Sequence, residues 1–514
     1  MAPITITGPS AGVTISGDNQ FTVFTVNSDV TATLSDLTIA NGSGVNGGGI
    51  SNAGALTVSN STFSDNFATI GGGIDNAGTL TVSNSTFSDN SAGISYSPAQ
   101  DGGGIRNDGM LTVSDSTFSY NSGSGISNFY TSTVSDSTFS YNSGSGINNN
   151  GMMTVGDSTF TNNTFSNYSG SGISNAGTLT VNDSTFSNNS SVNGGGIFSI
   201  GTLTVSDSDF SNNSAVSNGG GIFSFGTLTV NGSTFSNNSA VSNGGGISDD
   251  YFSDCTLTVS DSTFSNNSAA FGGGICNVVG TLTVTNCTIA NNSAGAGGGI
   301  DNIYGDSATL NNTLVADNTL GGDLADDSGF AGSYDLISDG SDLSSFTNSL
   351  EGNPDLAPLG NYGGPTQTMA LLPGSPALGT GDPADTSPDQ RGAPVASPPD
   401  IGAFQNQGSN VTANMTDPTY SSGQVGLTLT ASSADQADGF IYNINWGDGI
   451  STSVPATALN GNGVQVSHAY SSPGVYTVSV TATDEGLEVS PLATALVRAQ
   501  QPSQRQHRPQ RRSK

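Results

Sequence analysis

Residues 78–90 read GTLTVSNSTFSDN, and this stretch decides the fold because it returns along the chain. It recurs as GTLTVNDSTFSNN at 177–189 and as GTLTVNGSTFSNN at 226–238. The Phe of each STF unit, with Ile or Leu at the outer positions, forms a series of twelve rungs: Ile39, Phe63, Phe87, Phe118, Phe139, Phe160, Phe186, Phe210, Phe235, Phe264, Ile289 and Leu314. Their mean spacing is 25 residues, and a period of about 20–50 residues is typical of solenoids and repeat arrays.

Each repeat unit alternates apolar and polar residues with the period of two that is typical of a β-strand. In Leu80-Thr81-Val82 the apolar side chains flank a Thr, and Thr86-Phe87 and the stretch around Ile74 alternate in the same way. Three short strands per unit, separated by Asn, Gly and Ser, predict an all-β parallel β-helix of about 12 coils. Pro98 is the only proline between residues 10 and 353, and continuous pairing requires this scarcity because proline cannot donate to a ladder.

The turn after each STF strand varies in length more than the rest of the repeat. Eleven Ile residues follow Gly-rich segments, and they are Ile50, Ile74, Ile105, Ile126, Ile147, Ile173, Ile197, Ile222, Ile247, Ile275 and Ile300. The spacing from a rung to the next of these Ile ranges from 8 to 18 residues, whereas the spacing from Ile to the next rung is 13 in eight coils. A variable edge of this kind carries the binding loops of a solenoid or simply tolerates insertion.

An Asn follows three residues after ten of the twelve rungs. These residues are Asn66, Asn90, Asn121, Asn142, Asn163, Asn189, Asn213, Asn238, Asn267 and Asn292. A stacked Asn can form amide hydrogen bonds to its copies in the coils above and below, and it tolerates a left-handed turn conformation. We therefore predict a structural role for this column.

The charge pattern excludes several classes of function. The chain has 40 acidic and 8 basic residues, a formal net charge of −32, and six of the basic residues lie at or after Arg498. A body whose cations are Arg106 and Arg391 alone cannot follow a phosphate backbone or an anionic lipid surface, so we expect no nucleic-acid partner. No apolar run is long enough to span a bilayer, and the start, MAPITITGPS, has no features of a signal peptide.

Two groups of motifs resemble known families. The recurring GGGI and FSNN or FSDN motifs, over about residues 35–320, resemble the GGAI and FxxN repeats of chlamydial polymorphic outer-membrane proteins. That resemblance implies a right-handed parallel β-helix of the pectin-lyase-like superfamily. The segment LGNYGGPTQTMALLPGSPALGTGD at 359–382, DQRG at 389–392 and DIGAF at 400–404 are similar to the end of bacterial choice-of-anchor Q surface proteins, with Gln405 in place of that family's acidic residue.

The C-terminal region resembles a PKD domain, an immunoglobulin-like β-sandwich common in secreted bacterial proteins. The resemblance rests on NWGDG at 445–449, HAY at 468–470 and PGVYTVSV at 473–480. The last of these alternates apolar and polar residues as a half-buried strand does. Trp446 is the only Trp in the chain, and we expect it in the core of this domain.

These features predict four regions: a β-helix at 1–320, a Pro-rich end cap similar to choice-of-anchor Q at 321–406, a PKD-like β-sandwich at 409–497 and a disordered basic tail at 498–514. Residues 354–399 contain ten of the nineteen prolines, so this segment cannot form another coil. We expect it to fold over the open end of the rod, because an uncovered strand edge promotes association.

The sequence contains no recognisable catalytic set. Lyases of this fold use Arg or Lys as a base beside Asp-bound Ca²⁺, and hydrolases use clustered Asp with His and Lys, whereas this rod has one Arg, Arg106, and neither His nor Lys. We predict no catalytic residues; the alternative is a polysaccharide lyase or glycoside hydrolase built from scattered Asp. Cys255, Cys276 and Cys287 are interpreted as small buried residues, with one disulfide as the alternative.

Candidate ligand-binding residues are few. Asp301, Asp306, Asp323, Asp326 and Asp327 cluster near the end of the rod and carry the oxygen ligands that Ca²⁺ prefers, although solvated acidic residues give the same pattern. No other cofactor is expected. Four Tyr residues that we assign to the variable turns are candidates for stacking on sugars or partner loops: Tyr96, Tyr130, Tyr168 and Tyr251.

Seven coils carry Thr-x-Thr, at 79/81, 131/133, 178/180, 202/204, 227/229, 256/258 and 281/283. On a flat face these would form two Thr columns similar to those of ice-binding β-helices, although Thr is also a favourable outward strand residue. The predicted function is adhesion, or carbohydrate and surface interaction, by a monomeric bacterial protein that is secreted or associated with the outer membrane. Ice binding is a remote alternative.

Overall fold

A computed structural model describes most of the chain. The described residues are 3–93, 102–165, 170–249, 255–304, 307–326, 329–341, 343–407, 411–416, 418–421, 424–433, 439–457, 460–484 and 489–499. The remaining residues lie outside this description.

Three parallel sheets run along the rod, and we name each by its inward-facing residue. The Val sheet consists of Ile4–Thr7, Thr31–Ser35, Ala55–Ser59, Thr79–Ser83, Met110–Ser114, Thr131–Ser135, Met152–Gly156, Thr178–Asn182, Thr202–Ser206, Thr227–Asn231, Cys255–Ser260, Gly280–Thr285, Ser307–Asn311, Phe330–Ser333 and Phe346–Thr347. The Phe sheet consists of Thr14–Ser16, Thr38–Ala40, Thr62–Ser64, Thr86–Ser88, Thr117–Ser119, Thr138–Ser140, Thr159–Thr161, Thr185–Ser187, Asp209–Ser211, Thr234–Ser236, Thr263–Ser265, Thr288–Ala290, Leu314–Ala316, Leu336–Ile337 and Leu350–Glu351. The Ile sheet consists of Phe24–Val26, Ile50–Asn52, Ile74–Asn76, Ile105–Asn107, Ile126–Asn128, Ile147–Asn149, Ile173–Asn175, Ile197–Ser199, Ile222–Ser224, Ile247–Asp249, Ile275–Asn277, Ile300–Asn302 and Leu324–Asp326.

Two short side ladders lie in the variable turn between the Phe and Ile sheets. One consists of Ser43–Asn46, Phe67–Ile70 and Ser91–Ala92, and the other of Thr164–Phe165, Ser190–Ser191, Ser214–Ala215 and Ser239–Ala240. Each coil thus passes from the Val sheet through the Phe sheet and the variable turn to the Ile sheet. This order confirms the predicted all-β solenoid of about 12 coils.

The apolar ladder at the centre of the rod follows the repeat period. Successive Phe rings from Phe63 to Phe264 stack with centroids 4.5 to 4.9 Å apart and with interplanar angles of at most 6°. The predicted last rung is wrong, because Val315 and not Leu314 pairs with Ile289. Val315 joins the core of the rod, whereas Leu314 packs outward in a cluster with Leu371 and Ile401.

The predicted Asn column is present and buried. Each amide nitrogen, from Asn66 onward, donates to the side-chain oxygen of the Asn in the next coil at 2.9 to 3.1 Å, and Asn292 donates to Asn318. A second buried column in the Ile sheet, from Asn52 to Asn175, forms the same contact. Both columns form hydrogen bonds between successive coils. These bonds stabilise the stack, because a buried amide without a partner would cost free energy.

Parallel pairing continues past residue 320, the predicted boundary, as far as Glu351. Leu343 and Phe346 pack against the last residues of the core at this end. The Pro-rich segment does not fold over the end as expected. It docks instead on the outer face of the Phe sheet, where Thr366 donates to the carbonyl oxygen of Gly232 at 2.7 Å and Ala403 N–H donates to the Thr288 hydroxyl at 3.0 Å.

The outward apolar residues of the last coils explain this side docking. Leu314, Ala316 and Leu336 would be exposed on the Phe sheet if residues 355–407 did not cover them. Within that segment Arg391 forms an ion pair with Asp389 at 2.8 Å and lies over the ring of Phe404 at 3.7 Å. The DQRG motif therefore supports the fold of the segment.

The C-terminal domain has two antiparallel sheets. The first consists of Thr412–Met415, Thr419–Ser421, Gln424–Ser432 and Val464–Ala469, and the second of Ile441–Asn445, Ser451–Val454, Gly474–Thr483 and Ala493–Ala499. A 3₁₀ turn at Asn460–Asn462 lies between them in sequence. Trp446 is 1% exposed, which confirms its predicted place in the core. Cys255, Cys276 and Cys287 are buried, so the interpretation as small buried residues holds.

Candidate functional site

The structure describes one of the four candidate Tyr residues. Tyr130 is 57% exposed but does not lie in a variable turn, because it occupies the short turn between Ile126–Asn128 and Thr131–Ser135. There its carbonyl oxygen accepts from Asn128 as that of Gly109 accepts from Asn107. Tyr96, Tyr168 and Tyr251 lie outside the described residues. The sugar-stacking role of this set therefore stays a prediction.

The acidic candidates near the end of the rod are partly used by the fold. Asp301 and Asp323 are buried, and Asp323 accepts from the amide of Asn318 and from the hydroxyl of Ser338 at 2.9 and 2.8 Å. The backbone of Asp326 pairs with Asn302, and Asp306 and Asp327 lie outside the description. Among the described side chains, no three His, Cys, Asp or Glu lie close enough together to hold a metal ion.

The outer face of the Val sheet is a continuous array of hydroxyl groups. One column has Thr in twelve successive coils: Thr33, Thr57, Thr81, Thr112, Thr133, Thr154, Thr180, Thr204, Thr229, Thr258, Thr283 and Thr309. A second column, two residues earlier, contains Thr in most coils and is interrupted by Ala55, by exposed Met110 and Met152, and by Ser307. Hydroxyl groups thus repeat about every 4.8 Å along the rod and about every 6.6 Å across it.

A charged pair lies on the outer face of the Ile sheet. Asp75 and Arg106 are partners in adjacent strands, and Arg106 forms an ion pair with Asp108 at 3.1 Å and lies over the ring of Phe129. Burial raises the pKa of Asp75 to about 6, although the Arg106 guanidinium opposes that shift. Asp75 Oδ1 is buried without a hydrogen-bond partner among the described residues. The charge pattern of the sequence singles out Arg106 but not Asp75, which lies beside it in the sheet.

An acidic column follows the turn between the Val and Phe sheets. It contains Asp in five successive coils: Asp115, Asp136, Asp157, Asp183 and Asp207. Burial and the neighbouring Asp183 charge raise the pKa of Asp207. This edge of the rod therefore repels anionic ligands.

Two exposed aromatic rings form a contact that sequence reasoning missed. Tyr120 and Tyr141 stack with centroids 5.0 Å apart and an interplanar angle of 3°, and they are 58% and 50% exposed. Both have positive φ values, 56° and 55°. The sequence signal was the replacement of FSDN or FSNN by FSYN in two coils.

Comparisons with known proteins agree with this architecture. A family model described as the right handed beta helix region matches residues 102–257 and 155–320, and a PKD domain model matches residues 410–494. The parallel β-helix of this chain therefore matches a right-handed β-helix family over residues 102–320, and its C-terminal antiparallel domain matches the PKD family. The finer resemblance to polymorphic outer-membrane repeats and to choice-of-anchor Q proteins stays a prediction.

One solved structure similar to the C-terminal region is the PKD domain of an M14-like peptidase from Thermoplasmatales archaeon SCGC AB-540-F20. It is 25% identical, covers 18% of this chain and 100% of its own, and has a TM-score of 0.16. No curated protein matches the chain. Among the described residues, no helix is long and apolar enough to cross a membrane.

A β-helix combined with a PKD domain fits a surface or extracellular protein. The β-helix family model alone is compatible with pectate-lyase-like enzymes and equally with proteins that have no catalytic activity. The comparisons therefore define the architecture and leave the activity to be argued from the residues.

Proposed function

We propose that the chain is a non-catalytic bacterial protein, secreted or associated with the outer membrane, whose rod binds carbohydrate or another ordered surface. The observation that carries this proposal is the Thr column on the Val sheet, which continues without interruption from Thr33 to Thr309. Each hydroxyl offers one donor and two acceptor sites. A flat array of such groups suits a polymer or a surface whose own hydroxyl groups are exposed.

Many weak contacts along a rigid rod add up to strong retention on a surface. Each Thr contact contributes little alone, but the contacts after the first form at high effective concentration because the coils hold them in register. The acidic composition favours neutral or cationic surfaces over anionic ones. We propose no resident cofactor for this binding, and calcium at the end of the rod stays an open proposal.

The test is retention of the full chain on insoluble polysaccharides. In the first variant, Thr133, Thr154 and Thr180 are replaced by Lys, which places long charged side chains on the flat face of the Val sheet. In the matched control, Thr86, Thr117 and Thr138 of the Phe sheet are replaced by Lys, so that the change of charge is the same. We expect the first variant to lose most retention and the control to keep it. Equal behaviour of the two variants would contradict the proposal.

A polysaccharide lyase or glycoside hydrolase is the second candidate, and the pairing of Asp75 with Arg106 favours it. A carboxyl group with a pKa of about 6 beside a guanidinium could take part in proton transfer near neutral pH. Release of reducing or unsaturated ends from acidic and neutral polysaccharides, with Ca²⁺ present, tests this candidate. Turnover that Asp75→Asn or Arg106→Ala abolishes would replace the non-catalytic proposal.

Ice binding is a more remote candidate, favoured by the register of the Thr-x-Thr pairs on one face. Thermal hysteresis that persists after the salt is diluted would support it. The Thr133, Thr154 and Thr180 variant serves here too, since it would remove the hysteresis while its Phe-sheet control would not.

A further inference from the structure

The corner that follows each Phe strand carries one residue per coil in the left-handed region. Its φ values lie between 51° and 61°. The twelve residues are Asn41, Asp65, Asp89, Tyr120, Tyr141, Asn162, Asn188, Asn212, Asn237, Asn266, Asn291 and Asp317. Ten of them are Asn or Asp, which are the non-glycine residues that tolerate this conformation best. The two Tyr are therefore exceptions to a rule that the rest of the column obeys.

The stability of the fold does not account for these two residues. Both rings are half exposed or more, so they add little to the core, and both backbones are in a conformation that is unfavourable for a bulky side chain. Asn fits the same position in the coils that follow, beginning with Asn162. Strain that is retained at an exposed position without a packing role indicates a function.

The surroundings leave the Tyr rings accessible. Phe118 and Ile126 are 8 residues apart, as are Phe139 and Ile147, and these are the shortest variable turns in the rod. The side ladders include Ser91–Ala92 before them and Thr164–Phe165 after them. Among residues 119–147, all of which are described, the ladder is reduced to an isolated bridge between Ser91 and Ser122. The pair thus lies where the side ladder is shortest.

Each ring packs one face on the other ring and turns its second face toward the neighbouring coil. The second face of Tyr120 lies toward the coil of Asp89, and that of Tyr141 lies toward the coil of Asn162. Aromatic rings attract flat, partly apolar groups, whereas carboxylates and amides accept or donate hydrogen bonds to hydroxyl groups. A sugar ring has both an apolar face and a rim of hydroxyl groups.

We propose that Tyr120 and Tyr141, with Asp89 and Asn162, form a binding site for a neutral polysaccharide chain. The inference rests on the proposed carbohydrate-binding function and adds a site and a ligand class to it. Asp115 and Asp136, one strand away in the same coils, disfavour an anionic chain. The one cation of the rod, Arg106, is already paired with Asp108.

The experiment measures binding of soluble neutral hexasaccharides of glucose and mannose to the full chain by titration calorimetry. A short oligosaccharide can occupy the Tyr site but cannot span the Thr array. The test variant combines Tyr120→Asn and Tyr141→Asn, which restores the residue type found in the following coils. We expect it to fold with an unchanged or higher Tm and to bind at least tenfold more weakly. In the matched control, Tyr304→Asn, an exposed Tyr is removed from another corner of the rod, the turn that follows Ile300–Asn302, and binding is unchanged.

The outcomes separate this inference from the function on which it rests. If the wild-type chain is retained on insoluble polysaccharide but its hexasaccharide affinity is absent, or equal in the double variant, the Tyr site is wrong and the proposed function stands. If the wild-type chain is retained on no polysaccharide, the proposed function fails and the site fails with it. Binding of a cationic chitosan oligomer alone, lost at high salt, would overturn the neutral ligand class.

Discussion

The Thr263 hydroxyl donates to the side-chain oxygen of Gln390 at 2.6 Å, although the two residues are 127 positions apart in the chain. Gln390 is 2% exposed, and its amide nitrogen donates to the Thr366 hydroxyl and to the carbonyl oxygen of Gln367, both at 2.9 Å. The side-chain amide of Gln390 therefore links the Pro-rich segment to the outer face of the Phe sheet, in addition to the contacts of Thr366 and Ala403. The DQRG motif supplies this contact as well as the internal ion pair of the segment.

Replacement of Gln390 by Ala should destabilise the docked segment by about 3 kcal/mol, because it leaves several buried partners without a hydrogen bond. Urea unfolding followed by far-UV circular dichroism measures this change in the free energy of unfolding. The matched control is Gln367→Ala, which alters an exposed Gln of the same segment and should cost less than about 1 kcal/mol. Equal costs for the two variants would mean that docking does not depend on the Gln390 amide.

Replacement of Asn142 by Ala should cost about 4 kcal/mol. Asn142 accepts from Asn121, and it donates to Asn163 at 2.9 Å and to the carbonyl oxygen of Phe118 at 3.0 Å. The substitution removes hydrogen-bond partners from buried donors and acceptors in both adjacent coils. The same unfolding measurement applies.

The control for the Asn column is Asn231→Ala. Asn231 is exposed and donates to the Ser260 hydroxyl at 2.8 Å and to the Asp261 carboxylate at 3.1 Å. Water can replace both contacts at this exposed side chain, so we expect a loss below about 1 kcal/mol. Similar losses in the free energy of unfolding at residues 142 and 231 would instead mean that the stacked amides fill space and that their hydrogen bonds add no stability.

The repeat made the interior of the rod predictable, because the period of 25 residues and the alternation in each strand define which side chains stack. The exception is instructive. In Thr-Phe-Ser the alternation identifies the inward residue, but in Leu314-Val315-Ala316 all three residues are apolar and alternation cannot choose. The choice depends on residues 355–407, which cover Leu314 from outside.

The polar columns and the exposed aromatic pair were less predictable, because their contacts depend on strand register and on backbone conformation. The second Asn column, from Asn52 to Asn175, follows from the repeat once the Ile strand is placed in register. The Tyr120 and Tyr141 pair requires, in addition, recognition that the position before the first Asn column is left-handed. Residue spacing alone carries no such information about φ.

Replacement of Asp335 by Asn should stabilise the rod at pH 8 and not at pH 4. Asp335 is buried and accepts the N–H of Thr313 at 2.9 Å. Burial raises the pKa of its carboxyl group from 3.8 to about 7. Between these values the folded state holds a proton that the unfolded chain releases, so the free energy of unfolding falls as the pH rises through this window.

Asn keeps the acceptor oxygen at residue 335 and removes the buried charge. The gain at pH 8 should therefore reach at most about 4 kcal/mol, the equivalent of the shift in pKa. Urea unfolding of the two proteins at pH 4 and at pH 8 measures it, and the comparison at pH 4 is the internal control. An equal effect at both values of pH would exclude a buried charge as the cause.

Lowering the pH should destabilise the PKD domain, whereas it should stabilise the rod. His468 Nε2 lies 2.8 Å from Asp448 Oδ2, and the His ring stacks on Trp446 with centroids 4.8 Å apart. The hydrogen bond to His468 lowers the pKa of Asp448. Stabilisation by ionised Asp448 is therefore present above about pH 4 and is lost as the pH falls through the lowered pKa.

Trp446 is the only Trp in the chain, so its fluorescence reports on the PKD domain selectively. We expect the urea concentration at the midpoint of this signal to decrease as the pH is lowered from 6 to 3. Far-UV circular dichroism reports mainly on the rod, whose midpoint should rise between pH 8 and pH 5 because burial raises the pKa values of Asp75, Asp209, Asp261 and Asp335. Asp448→Asn is the control, since it should make the Trp midpoint less dependent on pH. A variant whose midpoint still falls as steeply as that of the wild-type chain would assign the acid sensitivity to another group.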